Sequence, residues 1–377
     1  MSPDQDGVRA LRGRVVTAAG VLEDAVVRIQ DGLITEVGDP SGTDGSERTA
    51  AWIVPGFVDL HVHGGGGHTF DAAEPEQARG AMEFHRTHGT TTMLASLATA
   101  SPSDTYARTA ALAPLVHSGD LAGVHLEGPY LSTARCGAQN PAHLRSPDPA
   151  EIADLIALGI VRAVTMAPEL PGALPAIAQL RAHGITVAVG HTDATYEQTL
   201  AAVEAGATIA THLGNAMRPI HHRDPGPIVA LLQSPTVICE QVADGVHLHD
   251  GMLRHVIQAA GPARVALVTD AMAAAGMPDG EFDLAGQDVT VQDGVARLAA
   301  SGAIAGSTLT MAEALRHTVR CGASIVEAVT MASATPARAL GLEGSIGSIA
   351  AGMRADLVLL DDNLAVTAVL RDGIAVR

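Results

Sequence analysis

The chain has 377 residues, 47% of them hydrophobic and 17% charged, so it carries enough apolar side chains for a large core and is not a disordered protein. Aromatic residues make up only 2%, and the core must therefore be built from Ala, Val, Leu and Ile. The formal net charge of −18 argues against a nucleic-acid partner. A small anionic ligand would need a locally cationic pocket.

The basic and sulfur-containing residues narrow the chemistry further. All 23 basic residues are arginine, which excludes a Schiff-base lysine, a P-loop lysine and a carboxylated lysine between two metal ions. The three cysteines are widely spaced (Cys136, Cys239 and Cys321), which indicates reduced thiols rather than a disulfide framework. The N-terminal sequence has no apolar signal segment, and no apolar run is long enough to span a membrane. We expect a soluble cytoplasmic protein with no membrane association.

Both ends of the chain show the pattern of short β-strands. Residues 7–38 alternate apolar and polar side chains around Asp31-Gly32, and residues 345–377 repeat this pattern with a second Asp-Gly pair at 372–373. An Asp-Gly pair between such runs indicates a hairpin turn. We therefore predict a small β-sandwich domain built from residues 1–56 and 345–377 and closed by pairing of the two chain ends.

The middle of the chain alternates short apolar runs with helical stretches. Eight candidate strands lie at residues 57–60, 91–97, 121–126, 161–166, 185–189, 208–211, 236–240 and 264–269. Repeated βα units of this number predict an α/β fold, with a (β/α)8 TIM-like barrel over residues 57–344. An open doubly wound sheet is the structural alternative, although no GxGxxG sequence follows an early strand.

Side chains that can bind a metal fall at the ends of these predicted strands. Asp59, His61 and His63 alternate, so a strand would direct both histidines to one face. Four further residues follow strands three, five, six and eight, whose ends meet at one mouth of a barrel: Glu127, His191, His212 and Asp270. Each alone has a simpler explanation, such as a hydrogen-bonded structural histidine or a carboxylate that caps a helix. Their coincidence at one rim favours a metal site.

The ligand types indicate the reaction. Imidazoles with one or two carboxylates suit a divalent ion of Zn, Fe, Co or Mn. Such an ion lowers the pKa of bound water toward about 7 and polarises a carbonyl group. A neighbouring carboxylate, here Asp270, can carry the proton from that water to a leaving amine. We predict hydrolysis of an amide or a related C–N bond, with Glu127 as the candidate bridge if two ions bind.

Two loops contain candidate residues for substrate binding. Residues 218–223 hold two arginines and two histidines, among them His222 and Arg223, and guanidinium groups bind phosphate through paired hydrogen bonds. An ordinary solvated loop explains this composition equally well. His247 follows strand seven and is expected near the barrel mouth, unless it is a hydrogen-bonded loop histidine.

Several motifs resemble those of a known enzyme family. Residues 54–64 (VPGFVDLHVHG) resemble the first strand of the amidohydrolase superfamily. Six further motifs resemble those of the N-acetylglucosamine-6-phosphate deacetylase family within that superfamily. They are HLEGPY at 125–130, GHT at 190–192, THLGNAM at 211–217, DGVH at 244–247, TDAM at 269–272 and GAIAGSTLTM at 302–311. The resemblance covers nearly the whole chain. It implies hydrolysis of N-acetylglucosamine 6-phosphate to glucosamine 6-phosphate and acetate.

The resemblance also implies roles for individual residues. Glu127, His191 and His212 would hold one divalent metal ion, and His61 with His63 would hold a second, so one or two ions are expected per subunit. Asp270 would be the general base and acid, with His247 near the reacting carbonyl. Substrate contacts are expected at Ala138, Gln139, Asn215, Ala216 and His247. Family members usually have histidine at the position of Gln139, so the contact there is expected in altered form.

The resemblance further implies a homodimer, in which Arg223 reaches the phosphate in the neighbouring active site. Two other enzymatic functions stay open. One is deacetylation of another N-acetylated amino-sugar phosphate, such as the galactosamine epimer, and the other is a different amidohydrolase reaction on a cyclic amide or an N-acyl amino acid. A non-catalytic barrel scaffold is the remaining alternative, but such a protein would be expected to lose its metal ligands.

Overall fold

The computed structural model describes residues 9–40 and 48–376. Its β-strands in chain order are β1 (Arg9–Thr17), β2 (Gly20–Gln30), β3 (Leu33–Gly38), β4 (Trp52–Pro55), β5 (Phe57–Asp59), β6 (Gly64–Gly65), β7 (His68–Thr69), β8 (Thr90–Ala98), β9 (Gly123–Glu127), β10 (Val161–Met166), β11 (Thr186–Val189), β12 (Ile209–Ala210), β13 (Ile238–Val242), β14 (Val265–Val268), β15 (Gly280–Leu284), β16 (Gln287–Gln292), β17 (Val295–Leu298), β18 (Leu357–Leu360), β19 (Val366–Arg371) and β20 (Ile374–Ala375).

The α-helices are α1 (Pro75–Thr87), α2 (Pro102–Ala111), α3 (Ala113–His117), α4 (Pro149–Ala157), α5 (Ala173–Ala182), α6 (Tyr196–Ala205), α7 (Gly226–Gln233), α8 (Asp250–Ala260), α9 (Met311–Arg320), α10 (Ile325–Val329) and α11 (Thr335–Ala339). A π-helical turn at Thr330–Ala334 joins the last two. Within the described ranges, no helix combines the length and the apolar character that a membrane span requires.

Eight parallel strands form the central barrel. They are hydrogen-bonded in the order β14-β13-β12-β11-β10-β9-β8-β5, and every residue of β8, β9, β13 and β14 is buried because the strands lie between the barrel interior and the outer helices. A parallel bridge between Val62 and Ala271 brings the first and last strands together, and there the Asp270 amide donates to the His61 carbonyl at 2.8 Å. The predicted barrel is confirmed, and each of its eight predicted strands is present.

The strands from the two chain ends combine in one seven-stranded sheet, in the order β20-β19-β18-β4-β1-β2-β3. Strand β4 joins the ends, because it pairs parallel with β1 and antiparallel with β18. The sheet bends back on itself in the manner of a sandwich: the Ile34 amide donates to the Met353 carbonyl, and the Gly352 amide donates to the Ile34 carbonyl, both at 2.8 Å. The bend encloses a separate apolar core formed by residues including Leu11, Val27, Ile53, Leu357 and Leu370.

The two predicted Asp-Gly hairpin turns are present. Asp31 and Gly32 have φ values of 52° and 79°, and Asp372 and Gly373 have values of 52° and 73°. Positive φ at both central residues is the geometry of a type I′ turn, for which Asp-Gly is a preferred sequence. The same geometry recurs at Asp293-Gly294, with φ values of 52° and 73°, between β16 and β17.

Strands β15 to β17 form a three-stranded antiparallel sheet that the sequence analysis did not predict. It is inserted between β14 and α9 and has its own core, to which Met272, Leu284, Val289 and Leu298 contribute. Ala138 packs against this core, and the side-chain amide of Gln287 donates to the Ala138 carbonyl. The inserted sheet therefore extends over the barrel mouth and forms one side of the cavity described below.

Candidate active site

The backbone takes an unusual conformation at four candidate residues of the barrel mouth. His191, His212, Ala216 and Asp270 have φ values of 47°, 27°, 48° and 49°. Residues other than glycine rarely adopt this left-handed region, and such strain is typical of functional sites held in place by their surroundings. At His191, His212 and Asp270, each two residues after a barrel strand, it lets the chain turn sharply so that the side chain faces the centre of the mouth.

Glu127, His191 and His212 converge on one point. Glu127 Oε1 lies 3.1 Å from His191 Nε2 and 3.0 Å from His212 Nε2, and the two imidazole nitrogens are 3.1 Å apart. His191 Nδ1 faces the Arg135 carbonyl at 3.0 Å, so Nδ1 carries the proton and the Nε2 lone pair is directed at the carboxylate. A lone pair and a carboxylate oxygen repel each other at this distance unless a cation lies between them, and the donor set fits a divalent metal ion.

His61, His63 and Asp270 form a second cluster beside the first. The two Nε2 atoms are 3.1 Å apart, and each lies 3.6 Å from Asp270 Oδ1. Glu127 faces this cluster as well, because its Oε2 lies 3.2 Å from His63 Nε2 and its Oε1 lies 3.4 Å from His61 Nε2. The carboxylate of Glu127 is therefore shared by the two clusters, as a bridging ligand would be.

Burial and charge govern protonation in these clusters. Burial disfavours the Glu127 carboxylate, but the charge of His61 and the contacts with the His191 and His212 imidazoles outweigh burial and hold its pKa well below its ordinary value. Burial likewise disfavours a charged His61, yet the carboxylates of Glu127 and Asp270 raise the pKa of that imidazole well above its ordinary value. The site is thus built to hold positive charge next to buried carboxylates, a role that a metal cation would fill.

Two further buried residues support His61. Glu240 Oε2, on β13, lies 3.3 Å from His61 Nδ1 and accepts from the His212 amide at 3.2 Å. Asp59 accepts from the Thr269 hydroxyl at 2.6 Å, and burial raises the pKa of this carboxyl to about 7 against the hydrogen bonds of Thr269 and the His61 amide. Glu240 is not among the site residues predicted from the sequence. The signal was a carboxylate at the end of predicted strand seven, on the same rim as the other candidates.

His247 connects the second cluster to the cavity. Its Nδ1 lies 2.7 Å from Asp244 Oδ2, and its Nε2 lies 3.5 Å from Asp270 Oδ2. Burial disfavours the imidazolium, but the hydrogen bond to Asp244 and the charge of Asp270 raise the pKa of His247 overall. Asp244 therefore fixes the ring so that Nε2 faces the cavity beside Asp270.

A cavity of about 220 Å³ lies above the clusters. Its walls include all five residues for which the sequence predicted substrate contacts at the mouth: Ala138, Gln139, Asn215, Ala216 and His247. The inserted sheet and the segment after it add Leu284, Ala303 and Ile304. His222 and Arg223 do not line this cavity; they are exposed on the loop before α7, where Arg223 Nη1 lies 2.7 Å from His222 Nε2. Their predicted phosphate contacts stay predictions.

Comparison with known proteins agrees with this geometry. The model of the amidohydrolase family matches residues 52–376. The chain is 39% identical over 368 residues to an N-acetylgalactosamine-6-phosphate deacetylase of Escherichia coli O157:H7, covering 96% of this chain and 97% of that protein. It is 36% identical over 372 residues to an N-acetylglucosamine-6-phosphate deacetylase of Lysinibacillus sphaericus, covering 95% of each.

Among solved structures, one similar protein is the N-acetyl-D-glucosamine-6-phosphate deacetylase of Mycobacterium smegmatis, as a mutant in complex with N-acetyl-D-glucosamine-6-phosphate. It shares 48% identity and superposes with a TM-score of 0.95, over 98% of this chain and 99% of that one. Family model, sequence relatives and structural neighbour thus agree over almost the full length. The chain belongs to the amidohydrolase family and, within it, to the group of N-acetylglucosamine-6-phosphate deacetylases.

Proposed function

We propose that the protein hydrolyses N-acetylglucosamine 6-phosphate to glucosamine 6-phosphate and acetate. The observation that carries this proposal is the convergence of four histidines and two carboxylates on the floor of a cavity with a partly apolar wall. The activities named for its relatives, which match over nearly the full chain, support it. A cavity of about 220 Å³ is also of the right order for a single phosphorylated sugar.

The two clusters contain the residues that would bind metal. Glu127, His191 and His212 would bind one divalent ion, and His61 and His63 with Asp270 are placed to bind a second. Zn, Fe, Co and Mn all suit this donor set. When bound, the metal would supply an acidified water and polarise the acetamide carbonyl.

Asp270 is placed to move the proton. Its Oδ1 faces the His61 and His63 side of the floor, and its Oδ2 faces His247, so the carboxylate lies between the clusters and the cavity. We assign to it the transfer of a proton from the attacking water to the leaving amine nitrogen. His247, fixed by Asp244, would hold the reacting carbonyl oxygen through Nε2.

The described part of the cavity wall offers no arginine to a phosphate group. None of the described residues that line the cavity is an arginine, although the chain as a whole contains 23. A phosphorylated substrate therefore needs a guanidinium from outside the cavity. We propose that the protein is a homodimer in which Arg223, with His222 beside it, supplies this charge to the neighbouring site.

The galactosamine epimer is the second candidate substrate. The E. coli relative, 39% identical, is an N-acetylgalactosamine-6-phosphate deacetylase, and the two epimers differ at a single hydroxyl group. Comparing kcat/KM for the two phosphorylated sugars would decide between them. A higher value for the galactosamine epimer would reassign the substrate and leave the reaction unchanged.

The primary experiment measures acetate release from N-acetylglucosamine 6-phosphate, together with metal content of the same sample. Release that a chelator abolishes and a divalent metal restores would support the reaction, the substrate and the cofactor. A metal-filled protein that releases no acetate from either epimer would contradict the proposed substrate. A protein that binds no metal when divalent metal is supplied in excess would favour the non-catalytic scaffold instead.

We also propose two further properties of the protein. The first is a division into two domains, one formed by residues 1–56 with 345–377 and the other by residues 57–344, and the second is a cytoplasmic location. The separate apolar core enclosed by the terminal strands supports the first. The three free cysteines support the second, because reduced thiols are usual in that compartment.

A further inference from the structure

A third group of potential metal ligands lies outside the active site. Asp250 begins α8, and His317 and Cys321 lie four residues apart at the end of α9. One ligand atom from each of the three side chains lies within 4.8 Å of the other two, and the His317 Nε2 to Asp250 Oδ1 distance is 2.9 Å. In a tetrahedral zinc site, with ligands about 2.0 to 2.3 Å from the ion, such atoms are about 3.3 to 3.7 Å apart. A small rearrangement of these side chains would therefore admit a zinc ion.

The surroundings of this cluster favour a cation that binds sulfur. His317 and Cys321 sit in the last turn of α9 and at its C-terminal cap, where the carbonyl ends of a helix carry partial negative charge. The Cys321 side chain is buried, whereas the Asp250 side chain is 48% exposed, so an ion could enter from solvent. His317 pairs with the Asp250 carboxylate, and the Cys321 thiol donates a hydrogen bond to the same carboxylate, so all three side chains converge on one point.

We propose that Asp250, His317 and Cys321 form an accessory zinc site with an open fourth position for water. A thiolate, an imidazole and a carboxylate select Zn²⁺ over the hard ions Mg²⁺ and Ca²⁺. Binding would release the Cys321 thiol proton to solvent. The ring proton of His317 would move from Nε2, which now faces Asp250, to Nδ1, and the Arg320 side chain, whose Nη2 lies 3.3 Å from Nδ1, would turn aside. With three protein ligands, the site is expected to exchange its metal with solvent.

The site lies next to the loop that carries His247. A Cβ atom at Gly245 would lie only 3.3 Å from His317 Cε1, so the loop packs directly against this imidazole. Asp250 follows this loop directly and lies three residues after His247. A bound ion would tie the start of α8 to the end of α9 beneath residues 244–249 and stabilise the loop that positions His247.

Cobalt substitution tests the proposal, because only a thiolate gives Co²⁺ an intense charge-transfer band in the near ultraviolet. The described ligands of the active site are histidines and carboxylates, so its cobalt gives no such band. The band should appear in the Co²⁺-loaded protein and disappear in Cys321→Ser, with one fewer metal equivalent per chain. His317→Gln should also lose it if the imidazole is a ligand, while both variants keep their active-site metal.

Cys136→Ser is the matched control, since this cysteine is partly exposed and precedes Gly137 at the cavity wall. It should keep the band. Absence of the band in the wild type, or its persistence in Cys321→Ser, would overturn the proposal. Loss of the band in Cys136→Ser alone would show that Cys136 supplies the thiolate, and this would overturn the proposal as well. If Cys321→Ser does not fold, His317→Gln and Asp250→Asn decide by metal stoichiometry.

Discussion

The side-chain amide of Gln139 donates a 2.6 Å hydrogen bond to Oε2 of Glu127. Its carbonyl oxygen accepts from the Thr99 amide at 2.8 Å, which fixes the direction of the amide group. Gln139 is buried, with only 6% of its surface exposed, although it also lines the cavity. It therefore orients the carboxylate shared by the two metal clusters, in addition to the substrate contact predicted for it.

Replacing Gln139 by Leu should weaken metal binding at the Glu127 cluster. Residues that orient a ligand from behind typically contribute a factor of about 10 to 100 in metal affinity, and we expect a loss of that size. Titration against a coloured chelator would measure it, and Gln139→His, which restores a donor, should recover much of the affinity. Asn140→Ala, in the same loop but without contact to Glu127, is the control. Equal affinity in Gln139→Leu and wild type would refute the orienting role.

Asp270→Asn should reduce kcat strongly, because an amide cannot accept the proton of the attacking water. General acid–base groups contribute roughly a factor of 10² to 10⁴, which sets the expected loss. Steady-state kinetics at saturating metal should show little change in KM, and metal analysis should still find the ion held by Glu127, His191 and His212. Turnover near the wild-type value would remove Asp270 from the proton transfer.

The role of Arg223 can be tested by combining two impaired variants in one dimer. If Arg223 acts on the neighbouring subunit, Arg223→Ala should raise KM for the phosphorylated sugar far more than for the unphosphorylated analogue. A heterodimer of Arg223→Ala with Asp270→Asn would then contain one complete site, made from Asp270 of the first chain and Arg223 of the second. At low substrate concentration, the co-expressed variants should therefore show a higher kcat/KM than either homodimer. Without such recovery, Arg223 acts within its own chain or not on the phosphate.

Glu240→Gln should affect the second cluster more than the first. Its carboxylate faces His61 Nδ1 at 3.3 Å, whereas its contact with His212 is to the backbone amide. Removing the carboxylate should lower the basicity of His61 and reduce the affinity for the second metal ion about 10- to 100-fold. The exposed Glu204 on α6 provides a control with the same loss of charge. A variant that binds two equivalents as tightly as wild type would show that Glu240 has no such influence.

The pattern of strand ends predicted the barrel and the floor of the site because both follow from local rules. A polar residue directly after a buried strand, such as Glu127 or His191, must lie at the barrel mouth whatever the helices do. The inserted sheet of β15 to β17 escaped prediction, although Asp293-Gly294 marked one of its turns. Its strands are short and partly exposed, so their apolar pattern is weak, and their placement over the mouth depends on contacts distant in sequence such as Gln287 with Ala138.

The link between Gln139 and Glu127 was equally hidden from the sequence. The two residues are 12 positions apart, and the hydrogen bond exists only because the intervening loop folds back over strand β9. The Asp250, His317 and Cys321 cluster depends in the same way on how α8 packs beside α9. Sequence spacing alone shows the His317 and Cys321 pair, one helical turn apart, but not the carboxylate that completes the cluster.

His85 makes stability depend on pH through its burial. This histidine on α1 has no exposed surface, and its Nε2 lies 2.8 Å from the Gly64 carbonyl. Its Nδ1 has no hydrogen-bond partner among the residues that the structure describes. Burial lowers its pKa to about 4, partly opposed by the Gly64 hydrogen bond, against an ordinary value of 6.5. Between these values the unfolded chain binds a proton that the folded chain does not, so the free energy of unfolding falls as the pH drops from 6.5 to 4.

The full effect of His85 is about 3 kcal/mol below pH 4, and it is absent well above pH 6.5. In His85→Gln, which keeps a donor for the Gly64 carbonyl, urea unfolding at a series of pH values should show a shallower loss of stability across this range. The exposed His183→Gln, at the end of α5, should follow the wild-type curve. If His85→Gln and wild type lose stability in parallel from pH 6.5 to 4, His85 takes up its proton without unfolding, and the closed packing of α1 against Gly64 and Gly65 does not exclude the charge.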